Sequence, residues 1–181
     1  MGVKYHTIYA DPPWMEKGGG KIKRGADRHY PLMGTKEIMA LDVKSIAADD
    51  CWLYLWVTNN FLQDGLDVMK AWGFKFKTVI AWVKVKDGKL QIGLGQYFRG
   101  ASELCLFGTK GHLPYKTDEN GKRMQGVTAI LAERTRHSKK PPEMRDMIER
   151  VSYGPFVEFF AREPHPGWDV WGNEVESEIE I

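Results

Sequence analysis

The chain has little with which to build cross-links or metal clusters. Its 181 residues include two cysteines, Cys51 and Cys105, far apart and each inside an apolar run, and neither CxxC nor HExxH spacing occurs around the five histidines. A disulfide framework and a structural zinc site are thereby disfavoured, and no metal is expected. No run approaches the roughly 18 apolar residues of a membrane span, and the start "MGVKYHTIYADPP" lacks the apolar core of a signal peptide. A cytoplasmic protein with no membrane partner is expected. Internal repeats, low-complexity segments and interdomain linkers are missing too. With 43% hydrophobic residues, the chain reads as one domain over residues 1–181.

A strong excess of one charge is also lacking, but only on average. The net charge is +2, yet the tail "EVESEIEI" holds four glutamates and no base, so setting aside its −4 leaves +6 elsewhere. Five Lys/Arg against two acids lie in residues 15–29, and eight against three in residues 110–140. Such clusters are either solvated loops or phosphate contacts, and charge alone does not choose.

What is present is an alternation of elements. The runs "YHTIYA", "CWLYLWV", "KTVIAWVKV", "SELCLFGT" and "PFVEFFA" are rich in Val, Ile, Phe, Tyr and Trp and are bounded by turn residues, the signature of buried strands. Between the second and third, "NNFLQDGLDVMKAWG" sets Leu62, Leu66, Met69 and Trp72 at helical spacing, with Asn59 or Asn60 as N-cap and Gly73 beyond the end. "PPEMRDMIERVSYGP" repeats the pattern through Met144, Met147, Ile148 and Val151 and leads into another strand. Strands alternating with helices predict an α/β fold with a mostly parallel sheet and helices on both faces.

Ligands of such sheets bind outside the carboxyl ends of the strands. There, directly after "YHTIYA", stands "DPPW", Asp11 to Trp14. Two prolines fix φ, remove two backbone donors and hold Asp11 extended, so a rigid loop presents a carboxylate, the carbonyl of Pro12 and an indole together. One reading is a strand-ending turn with Trp14 packed back on the core. The other is chemical. An exocyclic aromatic amine is a poor nucleophile because its lone pair is delocalised, and acceptors placed on its two N–H bonds favour a more pyramidal nitrogen as a bond forms. Trp14 would then stack on the base, worth about 1–3 kcal/mol.

"DPPW" does not stand alone. With "HYPLMGTKEI", "LYLWVTNNFLQDGLDVMKAWGFKFKTVIAWVKV", "GQYFRGASELCLFGTKG", "RTRHSKKPPEMRDMIERV" and "VEFFAREPHPGWDVWGNE", in this order, nearly the whole chain resembles the MT-A70 family of S-adenosylmethionine-dependent adenine-N6 methyltransferases. The resemblance implies a Rossmann-like methyltransferase fold with permuted motifs, the catalytic loop early and the cofactor segment late. It implies that Asp11 bridges the cofactor's amino group and the target amine, that the Pro12 carbonyl is the second acceptor in a catalytic loop completed by Pro13, and that Trp14 and Tyr30 wall the base pocket. It further implies cofactor contacts from Lys140, Phe160, Arg162, His165, Asn173 and Glu174. Each has a plainer reading: Lys140 as a loop lysine, Arg162 paired with Glu158 or Glu163, and His165 as a turn residue.

The same resemblance gives the basic stretches places. By that resemblance residues 15–29 form a first gate loop; the competing P-loop reading fails because "GGGKIKR" lacks its spacing, and "GLGQYFRG" fails the dinucleotide fingerprint. Residues 117–139 correspond to a second gate. Lys21, Lys23, Arg24, Lys122, Arg123, Arg134, Arg136 and Lys139 become phosphate-contact candidates. The implied reaction is direct in-line transfer from S-adenosylmethionine to adenine N6 in nucleic acid, with DNA favoured, a homodimer as candidate assembly, and no covalent enzyme intermediate. The same chemistry on RNA, a catalytically silent nucleic-acid-binding subunit, and methylation of a glutamine or cytosine amine are the competing readings.

Overall fold

The alternation of apolar runs becomes one eight-stranded sheet in the computed structural model, which describes residues 2–15, 32–135 and 139–181. The strands are β1 (Tyr5–Ala10), β2 (Ala47–Val57), β3 (Lys75–Lys86), β4 (Lys89–Leu90), β5 (Ser102–Lys110), β6 (Ala129–Ala132), β7 (Phe156–Phe159) and β8 (Trp168–Trp171). Their order is β4-β3-β5-β2-β1-β7-β8, with β6 pairing β3. The ladders β1·β2, β1·β7, β7·β8 and β3·β6 are parallel, whereas β5 runs antiparallel to both β2 and β3, and β4 antiparallel to β3. Six strands therefore share one direction and only β4 and β5 oppose it. This is the mostly parallel Rossmann-like sheet expected.

Helices cover both faces because the strands are apolar on both. Along β2, Cys51, Leu53, Leu55 and Val57 join one core cluster with residues of α1 (Thr35–Ala40), α2 (Val43–Ile46) and α3 (Leu62–Ala71). The alternate residues Tyr54 and Trp56 join a second cluster beneath α4 (Pro142–Val151). On α4 the expected stripe Met144, Met147, Ile148 and Val151 is buried, each side chain contributing about 1.5–3 kcal/mol before conformational entropy is charged against it.

Two local expectations change. The segment before α3 enters as a 3-10 turn, Asn59–Phe61, so Phe61 rather than an asparagine occupies the N-cap position, without a side-chain cap. The helix is thereby rotated: Gly65, Val68, Met69 and Trp72 face the core, while Leu62 is exposed and Leu66 only partly buried. Gly65 permits this approach, since a Cβ there would lie 2.3 Å from Val57 Cγ1. The other change is β6, which lies inside the stretch read as a continuous gate loop; "AILA" is too short to stand out by periodicity, and pairing with β3 defines it. No helix among the described residues is long and apolar enough to cross a membrane.

Candidate active site

The common direction of six strands brings their carboxyl ends to one edge of the sheet, delivering Asp11 from β1, Lys84 from the end of β3, and the segments after β7 and β8. The antiparallel β5 begins at this edge and adds Glu103. A cavity of about 300 Å³ opens there, at the lower bound of small-molecule sites. Its wall carries four acids, Asp11, Glu158, Glu163 and Glu174, and four bases, Lys139, Lys140, Arg145 and Arg162, with Tyr9, Pro141, Phe160 and His165 between them. Such alternation suits a zwitterionic ligand better than a simple anion or cation.

Asp11 is fixed at both ends. Its N–H donates to Phe159 O at 3.3 Å, extending the β1·β7 ladder, and its Oδ2 lies 3.0 Å from Lys140 Nζ. Lys140 also reaches Glu103 Oε2 at 3.0 Å, and Glu103 Oε1 accepts from Lys84 Nζ at 2.7 Å. The result is an alternating chain Asp11, Lys140, Glu103, Lys84, with Lys140 over the Trp56 ring and Lys84 over Trp82. Burial pushes the Asp11 carboxyl above its ordinary value; Lys140 opposes the rise and Glu103 adds to it. Burial also raises the cost of ionising Glu103, but Lys140 and Lys84 outweigh it and hold that carboxyl below its ordinary value. Burial would lower Lys140, yet Asp11 and Glu103 together raise it, so it stays an ammonium.

The "DPPW" turn is tighter than the sequence implied. Pro12 O accepts the Trp14 N–H at 2.9 Å, and Pro13 O accepts the Met33 N–H at 2.9 Å. One lone pair of Pro12 O is thus engaged within the turn, and Pro12 is buried and not among the residues of the cavity wall. Trp14 departs from the base-stacking expectation: it is 5% exposed, donates from Nε1 to Trp56 O at 3.0 Å, and stacks on Phe61 with ring centroids 5.6 Å apart. Its indole anchors the loop in the core, because burying that large ring with its one donor satisfied outweighs leaving it at the rim.

The segments after β7 and β8 build the opposite wall. Phe160 adopts φ 62°, a left-handed conformation uncommon for a bulky residue, and lines the cavity with its ring edge-to-face on Trp171. Arg162 Nε lies 3.7 Å from Glu174 Oε1, a partner the plainer reading did not name. Lys139 pairs with Glu163 at 2.8 Å across the mouth, so it is a wall residue before it is a phosphate contact. His165 Nε2 lies 4.0 Å from Glu158 and 3.8 Å from Glu163; burial and the nearby Arg145 lower its pKa. Asn173 is exposed and is not part of the cavity wall.

The remaining phosphate-contact candidates divide. Lys21, Lys23, Arg24 and Arg136 lie outside the described residues, as does Tyr30 of the expected base pocket. Arg134 is exposed beyond β6, its N–H donating to Gln91 Oε1 at 2.7 Å. Lys122 and Arg123 belong to a turn closed by Thr117 and Arg123, and the Arg123 guanidinium lies over Tyr115. Neither lines the cavity. Sequence reasoning missed Lys84, Glu103, Arg145 and Glu158. A charged residue inside an otherwise apolar strand, as in "SELCLF" and "FVEFF", was the available signal for the two glutamates.

The MT-A70 family profile matches residues 5–174. Type II methyltransferase M.MunI of Mycoplasma sp is 33% identical over 200 residues, covering 98% of this chain and 81% of the relative. The N(6)-adenosine-methyltransferase MT-A70-like protein of Drosophila melanogaster is 32% identical, covering 96% of the chain. The N(6)-adenosine-methyltransferase catalytic subunit METTL3 of Homo sapiens is 30% identical, also over 96% of the chain. The chain spans 27% and 28% of the lengths of these two animal relatives.

Proposed function

The chain belongs to the MT-A70 family, and from that membership we propose that it methylates the N6 amine of adenine in nucleic acid, with DNA as the substrate class. Methyltransferases of this family use S-adenosylmethionine as methyl donor. The DNA assignment rests on the type II methyltransferase, which matches along most of its own length, whereas the adenosine methyltransferases match along about a quarter of theirs.

The cavity fits the cofactor by its chemistry. Its acidic and basic residues suit a ligand carrying both an ammonium and a carboxylate, with Asp11 and Glu158 for the first and Lys139, Lys140 or Arg162 for the second. Glu174, held near Arg162, would accept from ribose hydroxyls, and Phe160 offers a ring face to the adenine. When bound, S-adenosylmethionine supplies an electrophilic sulfonium methyl.

The chain's own residues do the rest. Asp11 is the observation that carries the proposal: a carboxylate fixed by its backbone at a strand exit, in a cavity, with its charge supported by Lys140 at 3.0 Å. Asp11 accepts a hydrogen of the incoming amine, with Pro12 O, which already accepts the Trp14 N–H, as the second acceptor that the family resemblance implies; together they orient its nitrogen for in-line attack and take up charge as it becomes cationic. Burial raises the Asp11 pKa and Lys140 opposes that rise, favouring the carboxylate form. On duplex DNA the target base must first be flipped at a cost of a few kcal/mol, so unpaired adenine should react faster.

The test is transfer of labelled methyl to matched DNA and RNA oligonucleotides, single- and double-stranded, with nucleoside mass spectrometry. N6-methyladenine in DNA supports the reading. Label confined to RNA would keep the chemistry and replace the substrate class, and label on cytosine or on protein would overturn the proposal.

A further inference from the structure

Arg145 is held more tightly than a cavity-wall arginine needs to be. It projects from α4, and its Nη2 donates to Glu158 Oε2 at 2.5 Å, the two side chains being 19% and 13% exposed. The guanidinium sits against two aromatic rings, 5.9 Å from the centroid of Tyr9 and 5.7 Å from that of Trp168. The second ring is itself pinned, since Trp168 Nε1 donates to Glu149 Oε1 at 2.7 Å and the ring packs on Phe156 at 4.9 Å. Arg145 Nε is buried with no hydrogen-bond partner, the single such side-chain atom among the described residues. A buried donor left unsatisfied is costly. The fold tolerates that cost while directing the other edge of the guanidinium onto one carboxylate in the cavity wall.

Among the described residues, charged groups reach Glu158 from three elements. Arg145 approaches from α4, Asp11 from the end of β1, and His165 and Glu163 from the segment between β7 and β8. Burial pushes the Glu158 carboxyl up, Arg145 opposes this, and Asp11 and Glu163 push it up further. His165 cannot substitute, because its own pKa is lowered and it stays neutral at neutral pH. Among the groups recorded beside it, Arg145 is therefore what favours the ionised form of Glu158.

We propose that Arg145 is a positioning residue that keeps Glu158 ionised and aimed into the cavity, so that Glu158 and Asp11 form a two-carboxylate seat for the ammonium of an amino-acid-bearing ligand. The inference rests on the cofactor reading above and adds a residue that the family resemblance did not supply. It also explains why the orphaned Nε is tolerated: the guanidinium is oriented for Glu158, not for its own hydrogen-bond count.

The test is calorimetric binding of S-adenosylhomocysteine and its des-amino analogue, from mildly acidic to mildly alkaline pH, to the wild-type protein and to Arg145→Met, Arg145→Lys and Glu158→Gln. The wild type should prefer the amino ligand by at least about tenfold, equivalent to about 1.4 kcal/mol. Arg145→Met should lose most of that preference at neutral pH and regain it as pH rises and Glu158 deprotonates. Arg145→Lys should fall between the two, and Glu158→Gln should lose the preference at every pH. A folded Arg145→Met that keeps the wild-type preference, or loses it equally at all pH values, overturns the inference. If that variant does not fold, Glu158→Gln decides, and retained preference there overturns it as well. A wild-type protein that binds both ligands equally defeats this inference alone, whereas one that binds neither defeats the cofactor reading and this inference with it.

Discussion

Lys140 Nζ lies 3.0 Å from Asp11 Oδ2 and 3.0 Å from Glu103 Oε2. One ammonium is thus divided between a carboxylate at the exit of β1 and another at the entry of β5. The first is proposed to meet the target amine and the second only holds the ammonium in place. The proposed role of Asp11 and the supporting role of Glu103 can each be measured.

Replacing Asp11 by Asn keeps the shape of the side chain but weakens an acceptor that must stabilise developing positive charge. Turnover should fall about 10²–10³-fold, the range for losing one placed polar group in a transition state, with the circular dichroism spectrum unchanged. Wild-type rates in that variant would remove Asp11 from the mechanism.

The pH profile should carry the mark of burial. Because burial holds Asp11 above the ordinary carboxylate value and Lys140 pulls it back, the acidic limb of kcat/KM should lie above the usual carboxylate range. Lys140→Met removes the opposing charge, so the limb should move to higher pH. A shift to lower pH, or none, would show that another group titrates.

Glu103 tests the supporting half of the network through stability. Its folded pKa is depressed, so its contribution is present above the unfolded value and is lost as pH falls through the folded one. Glu103→Gln should lower unfolding free energy by about 3 kcal/mol at neutral pH, as expected for breaking a mostly buried ion pair. The gap to wild type should close in acid, and urea denaturation at several pH values measures it.

Trp14 separates anchoring from stacking. Trp14→Leu loses both the packing on Phe61 and the bond to Trp56 O, and should lose about 3 kcal/mol of stability. Unchanged stability together with nucleic-acid binding weaker by about 1–3 kcal/mol would restore the stacking role.

Lys21, Lys23 and Arg24 are tested by salt. Their joint replacement by Ala should weaken DNA binding and reduce the slope of log affinity against log salt by about 2–3, near 0.9 per lost phosphate contact. An unchanged slope would return the stretch to solvated surface.

Much of this was legible in the chain and some was not. "DPPW" announces its own rigidity because proline acts through covalent geometry, which needs no tertiary context. The stripe on α4 is equally local, and Met144 to Val151 bury as the spacing predicts. The tilt of α3 was not legible, since the 3-10 turn at Asn59–Phe61 and the approach of Gly65 to Val57 depend on the strand beneath. Glu103 and Glu158 were visible as charges in apolar strands, but their partners were not.

The sequence by itself determined the order of five strands and two helices, the restricted turn after β1 and the family to which the blocks belong, because each is written in neighbouring residues. Tertiary structure alone decided that Trp14 turns inward and that Lys140 is shared between Asp11 and Glu103. It also decided that Arg145 lies against Tyr9 and Trp168 with its charge on Glu158. These contacts join residues distant in the chain, and their energies depend on burial and on opposing charges that exist only once the sheet has brought its strand ends together.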